Sequence, residues 1–240
     1  MNFFKKMGLT LLNVILPPNC PVCGEKTAGE HDLCPHCYTK IHFITKPYCQ
    51  CCGRPYEFKT FDELICGACL QKRPLFHKAR AAFTYDDFSK KLILPFKHGR
   101  RTELTPFLVQ LLIRVGNDLI KEVDVIIPVP LHRFRLMKRG YNQAALLAGL
   151  LAKKYRKHYA PDVLKRIKHT KSQGHLSPSA RAKNLQGAFH IVHASKIKNK
   201  RILLIDDVMT SGATVNACTK ILLKNGAKQV DILTLARVVK

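Results

Sequence analysis

Apolar positions along the chain follow two periods. Short continuous runs at Ala79–Tyr85, Asp124–Val129, Ile202–Ile205 and Val230–Leu235 suit strands, Asp124–Val129 a buried one and Ile202–Ile205 one buried on both faces of a parallel sheet. Longer stretches carry helical spacing. These are residues 102–120, residues 143–158 with Ala144, Leu147 and Leu151 on one face, and residues 214–225. A short helix is expected in SKKLILPFKHGRR, closing at Gly99, and a short strand at Val163–Ile167. Val230–Leu235 is expected to close the sheet, and residues 168–180 to form a polar, mobile loop. Strands alternating with helices imply an α/β fold with a parallel sheet. Residues 3–16 (FFKKMGLTLLNVIL) form an apolar segment ended by Pro17 and Pro18. It lacks the small-residue cleavage pattern of a signal peptide. Residues 1–16 are therefore expected to be a packing helix, with peripheral membrane contact as the alternative. No run of 18 apolar residues is present, so no transmembrane segment is expected.

The stretch ILLIDDVMTSGAT at 202–214 carries the clearest chemistry. Asp206 and Asp207 follow a buried strand, and ligands bind at the carboxyl ends of strands in open α/β sheets. Adjacent carboxylates suit the two hydroxyls of a ribose. Thr210, Ser211, Gly212, Ala213 and Thr214 then lead into a helix, where backbone amides can approach a phosphate. The Gly spacing and Lys of a Walker loop are absent. The segment resembles the phosphoribosyl pyrophosphate loop of type I phosphoribosyltransferases, which implies a parallel sheet flanked by helices over residues 73–240.

Ten cysteines change the picture at the other end. Cys20 with Cys23, Cys34 with Cys37, Cys49 with Cys52 and Cys66 with Cys69 are four CxxC pairs within residues 17–72. Eight thiolates make two closed tetrahedral zinc sites. Sequential pairing would form one site from the first two pairs and one from the last two. A cross-braced pairing remains open at this point, as does Cys51 in place of Cys52. A disulfide framework is the competing reading for a secreted chain, and the missing signal peptide favours metal. The metals would supply much of the folding energy of this zinc-ribbon module. Cys218 is expected to be a core thiol.

Net charge is +25. From Leu131 to Arg201 there are 18 Lys and Arg against one acid, Asp162. Such self-repulsion calls for an anionic partner. Single-stranded DNA, bound without sequence preference, is expected at Arg133, Arg135, Lys138, Arg139, Lys153, Lys154, Arg156 and Lys157. Tyr155 and Tyr159 would stack bases among these cations.

With FKHGRR at 96–101, IPVPLHRFRLMKRGYNQAALLA at 127–148, RIKHTKSQGHLSPSARAKNLQGAF at 166–189 and LLIDDVMTSGATV at 203–215, the chain is identified as a member of the ComF family, which includes ComFC and GntX-like proteins. The resemblance implies a cytoplasmic role in DNA uptake during natural transformation, beside a competence DNA helicase. It implies that Asp206 and Asp207 hold ribose hydroxyls, and that residues 210–214 hold the 5′-phosphate of phosphoribosyl pyrophosphate with Mg. Pro130, Leu131, His132 and Arg133 would form the pyrophosphate loop. Arg133, Arg135, Arg139, Tyr141, Asn142 and Gln143 would lie over the site on a flexible segment. Asp206, Asp207 and Arg139 form the expected catalytic set if the protein is an active phosphoribosyltransferase with an unidentified acceptor, the alternative to a DNA-handling role. Glutamine-dependent amidotransferase chemistry is not expected, because Cys20 is internal and committed to metal.

Overall fold

The computed structural model describes residues 18–29, 32–58, 64–168 and 184–239. The helix expected over 1–16 lies outside them, as does nearly all of the polar loop expected over 168–180.

Five strands form one parallel sheet: β1 (Ala79–Thr84), β2 (Val125–Pro128), β3 (His158–Tyr159), β6 (Arg201–Met209) and β7 (Gln229–Arg237), in the order β1-β7-β6-β2-β3. The remaining pair, β4 (Leu164–Arg166) and β5 (Phe189–Ile191), is antiparallel and separate. Six helices are labelled in chain order: α1 (Pro35–Lys40), α2 (Gly67–Gln71), α3 (Lys90–His98), α4 (Thr105–Glu122), α5 (Arg133–Arg139) and α6 (Gln143–Tyr155). A seventh, α7 (Ala213–Lys224), follows β6.

The strand expected to close the sheet does not do so. β7 pairs with β6 on one side and β1 on the other, which leaves β1 and β3 as edges. The chain from 42 to 44 covers the β1 edge. Ile44 N–H donates to Ala82 O at 2.9 Å, and Thr84 N–H donates to His42 O at 2.9 Å. An open edge would otherwise invite another chain.

Successive side chains of a strand face opposite ways. In β6, Ile202 and Leu204 join a core with Val215, Cys218 and Leu222 of α7. Leu203 and Ile205 join another with Leu108 and Leu112 of α4 and Leu147 and Leu151 of α6. All four are fully buried. Cys218 is a core thiol, as the sequence indicated.

The basic segment after β2, placed by the resemblance on a flexible segment, is the helix α5. His132 Nδ1 accepts from Phe134 N–H at 3.4 Å as its cap, and Gly140 ends it with φ 81°. None of its residues is buried, so no apolar pattern announces it.

Helix α4 comes very close to the sheet at Gly116. A Cβ there would lie 2.6 Å from Leu233 Cδ2. Gly116→Val should therefore cost about 1–3 kcal/mol of stability by overpacking. Urea denaturation checks this, and an unchanged midpoint would contradict the packing described.

Candidate functional site

The metal module is built from two quartets. The Sγ atoms of Cys20, Cys23, Cys34 and Cys37 lie within 4.8 Å of one another, as do those of Cys49, Cys52, Cys66 and Cys69. This is the sequential pairing, not the cross-braced one. Cys51 belongs to neither quartet. The Cys23–Cys34 sulfurs are 3.6 Å apart and the Cys52–Cys66 sulfurs 3.7 Å. A tetrahedral zinc with bonds of about 2.3 Å sets sulfurs about 3.8 Å apart, so the spacing fits the ion. Backbone amides also point at the sulfurs: Cys37 N–H donates to Cys34 Sγ at 3.4 Å and Cys66 N–H to Cys49 Sγ at 3.3 Å. Arg237, at the end of β7, donates to Cys52 O at 2.6 Å and to Cys52 Sγ at 3.5 Å. That contact docks the second quartet on the carboxyl end of the sheet.

Beside it opens a cleft of about 1030 Å³ at the carboxyl ends of β2 and β6. Asp206 and Asp207 lie on its floor, just past the point where β6 loses its β2 partner at Ile205. They are adjacent, so they face opposite sides of the sheet. Asp207 is buried and its Oδ2 meets Lys97 Nζ at 3.0 Å. Asp206 Oδ1 accepts from Asp207 N–H at 2.9 Å. Burial first, and then the Asp207 charge, push the Asp206 carboxyl up to about 7, while Lys97 pulls the other way.

Past Met209 the chain turns at Gly212, whose φ of 75° favours glycine, and enters α7. The first amides of α7 have no partner inside the helix and carry the positive end of its dipole. Thr210 and Thr214 line the cleft beneath them. The acid pair and Thr210 and Thr214, at the entry to α7, thus face one space.

The cleft wall is cationic. Arg135, Lys138 and Arg139 reach it from α5, Arg166 from β4, and Lys97, His98 and Arg100 from the end of α3. Burial lowers the Arg139 and Arg166 guanidinium values; for Arg139, the Asp207 charge partly offsets this. Burial, then Arg139 and Lys97, hold His98 below its ordinary range. Lys97 and His98 were not singled out in the sequence as site residues. The only local signal is four basic residues within 97–101 after an apolar run.

Several expected positions differ. Asn142 and Gln143 line the cleft as the resemblance implies, but residues 141–143, placed by it on a flexible segment, are tied down by hydrogen bonds. Tyr141 OH donates to Phe96 O at 2.6 Å, and Gln143 Nε2 to Lys97 O at 2.8 Å. Asn142 caps α6 by accepting from Ala144 N–H at 3.1 Å. Arg139 Nη1 donates to Gln143 Oε1 at 3.1 Å. Of the expected pyrophosphate loop, Pro130 and Leu131 line the cleft, whereas His132 is buried as the cap of α5. Arg133 lies over the Phe134 ring, 5.0 Å from its centroid.

The nucleic-acid set also divides. Helix α6 descends from the cleft to the start of β3, so Lys153, Lys154, Arg156 and Lys157 lie at the amino ends of the strands, away from Arg135 and Arg139. Tyr155 and Tyr159 are not free stacking platforms. Both pack against the core, Tyr155 OH donating to Asn117 Oδ1 at 2.8 Å and Tyr159 OH to Ala145 O at 3.0 Å. Among the described residues, no helix is long and apolar enough to cross a membrane.

Comparison with known proteins finds two family models on the chain. A family model described as a double zinc ribbon domain matches residues 11–70, and one described as a phosphoribosyl transferase domain matches residues 138–239. Competence protein F of Haemophilus influenzae is 33% identical over 220 residues, spanning 89% of this chain and 94% of its own. A protein of Shigella flexneri named DNA utilization protein YhgH is 31% identical, with 91% and 89% covered. Competence protein ComFC of Bacillus subtilis is 27% identical, with 87% and 85% covered. The chain belongs to the ComF family, with a parallel phosphoribosyltransferase-like sheet and two four-cysteine zinc-ribbon sites.

Elemental analysis should find two zinc ions per chain. Cys51→Ser should keep both and Cys52→Ser should lose one. Retention of both ions in Cys52→Ser would contradict the quartets.

The Asp206 carboxyl gives a pH-dependent outcome. Raised in the folded state, it makes stability fall as pH climbs from about 4 toward 7, because the unfolded chain has already released that proton. Asp206→Asn should therefore raise the melting temperature at pH 8 and raise it clearly less at pH 5. Thermal melts at the two pH values test this, and a variant destabilised at pH 8 would contradict it.

Proposed function

We propose that this ComF-family protein is a DNA-uptake factor that acts in the cytoplasm on single-stranded DNA. Its cleft binds phosphoribosyl pyrophosphate or the ribose 5-phosphate group of a strand end. One observation carries the reading: an acid pair, a helix-start phosphate cradle and a cationic wall open into the same space. Carboxylates accept from ribose hydroxyls, the amides at 213–215 receive the 5′-phosphate, and Arg135, Lys138 and Arg139 meet further phosphates. The names of the relatives, competence protein and DNA utilization protein, support a role with DNA.

Next to the cleft, Phe134 on α5 is exposed between Arg133 and Arg135. An unpaired base stacked there would have phosphates within reach of both arginines. A competence DNA helicase is the expected source of the strand. The Asp206–Asp207 floor also suits Mg²⁺, a hard cation that prefers oxygen ligands. When bound, Mg²⁺ would neutralise pyrophosphate charge next to the ribose. Gln143 orients Arg139, and Lys97 compensates Asp207 until a ligand replaces that contact.

Calorimetric titration with phosphoribosyl pyrophosphate and Mg²⁺, with and without single-stranded DNA, tests the proposal. The protein should bind the ligand, and Asp206→Asn with Asp207→Asn should abolish binding while the fold melts cooperatively. Each lost carboxylate removes charge-assisted hydrogen bonds worth about 1.5–3 kcal/mol. Unchanged affinity in the double variant would overturn the assignment.

A further inference from the structure

Strand order brings three basic clusters, far apart in sequence, to the amino end of the sheet. Lys153, Lys154 and Arg156 end α6, immediately before β3. Lys198, Lys200 and Arg201 lead into β6. Lys224 and Lys228 flank the turn from α7 to β7. Backbone contacts fix them on one surface. Val125 pairs with both His158 and Ile202, and Asp124 N–H donates to Arg201 O at 2.9 Å. Lys228 N–H donates to Lys200 O at 2.9 Å, and Asn199 N–H to Gly226 O at 2.8 Å. β3 and β6 are two strand spacings apart, about 10 Å, so the first two clusters lie about one Debye length from each other.

These eight side chains are all exposed. Among the described residues none of them forms an ion pair; Lys196, one turn away, is the residue held by Asp162, at 2.6 Å. Asp124 accepts from the Arg201 backbone N–H at 2.8 Å and forms no ion pair with these side chains among the described residues. Helix dipoles account for cations at the ends of α6 and α7. They do not account for Lys198, Lys200 and Arg201, which precede a strand. The acid pair offers no compensation either. Arg201 and Asp207 are six residues apart along β6, about 20 Å, which is beyond the screening length.

We infer that this face is a second nucleic-acid surface, distinct from the cleft, that grips the sugar–phosphate backbone and reads no bases. The aromatic residues of its own segments, Tyr155 and Tyr159, are folded into the core with their hydroxyls bonded. Without a stacking platform the surface has no reason to prefer unpaired bases, so duplex and single strand bind it alike. No large apolar side chain of these segments is exposed, so the face lacks the anchor that membrane-surface elements use beside their charge. The inference rests on the DNA role proposed above but not on the cleft.

The test uses the full chain and two triple variants, Lys153→Gln/Lys154→Gln/Arg156→Gln and Lys198→Gln/Lys200→Gln/Arg201→Gln. Fluorescence anisotropy follows binding of 5′-hydroxyl duplex and single-stranded DNA across a salt series. Each variant should flatten the slope of log affinity against log salt for both substrates. The loss should be about 0.9 per phosphate contact on duplex and about 0.7 on single strands. Phosphoribosyl pyrophosphate binding and melting temperature should stay at wild-type values. Unchanged slopes in both variants would overturn the inference, as would a loss confined to single strands. Loss of binding to phosphatidylglycerol vesicles with DNA slopes intact would overturn it in favour of a membrane. Failure of phosphoribosyl pyrophosphate to bind the wild-type protein would sink the cleft reading and leave this one standing.

Discussion

Burial of β6 on both faces is the constraint from which the rest of the molecule follows. Ile202, Leu203, Leu204 and Ile205 alternate between two cores, one closed by α7 and the other by α4 and α6. A strand committed on both sides cannot slip by one residue without exchanging all four side chains between cores. Its register is therefore fixed, and so is the place where it leaves the β2 partner. Asp206 and Asp207 fall at that place. Two carboxylates would be poorly tolerated there without nearby cations. Lys97 at 3.0 Å from Asp207, with Arg139 and Arg166 close by, makes the floor tenable. The Asp206 carboxyl nevertheless stays raised, by burial first and by the Asp207 charge second.

The cysteine quartets solve a different problem. The segment before β1 contains little that could form a core alone, so its folding leans on metal and on docking. The docking is close. Gly53, with φ 69°, sits where a Cβ would meet Ala79 O at 2.5 Å, and Ala79 N–H donates to Cys51 O at 2.7 Å. The first quartet packs with Val22, Leu33 and Phe88. The second joins the core on the α7 face of the sheet. The chain between them pairs along β1 and removes its open edge. Arg237 thus ties the second ribbon to the carboxyl end of β7.

Much of this was legible in the sequence because it is local. The apolar run, the acid pair and the Thr-Ser-Gly-Ala-Thr turn are contiguous, and their order along the chain is their order in space. The CxxC pairs close with their sequence neighbours. What was not legible depends on strand order. Val230–Leu235 reads as a closing strand, but β1 crosses to the far side of β7 and takes the edge. The basic clusters read as one patch, yet α6 carries one of them the length of the sheet away from the cleft. Helix α5 hides because it buries nothing and is made by its two caps. Lys97 hides because its partner lies 110 residues further along the chain. Tyr155 and Tyr159 look like stacking rings among cations until Asn117 and Ala145 are seen to hold them.

The central claim is that the acid pair and the start of α7 form one ribose phosphate site. A crystal structure of the protein grown with phosphoribosyl pyrophosphate and Mg²⁺ tests it most directly. The ribose hydroxyls should lie against Asp206 and Asp207, the 5′-phosphate should sit on the amides at 213–215, and Lys97 should have turned away from Asp207. Ligand density at the basic amino end of the sheet, with the cleft empty and the Lys97–Asp207 contact intact, would contradict the claim.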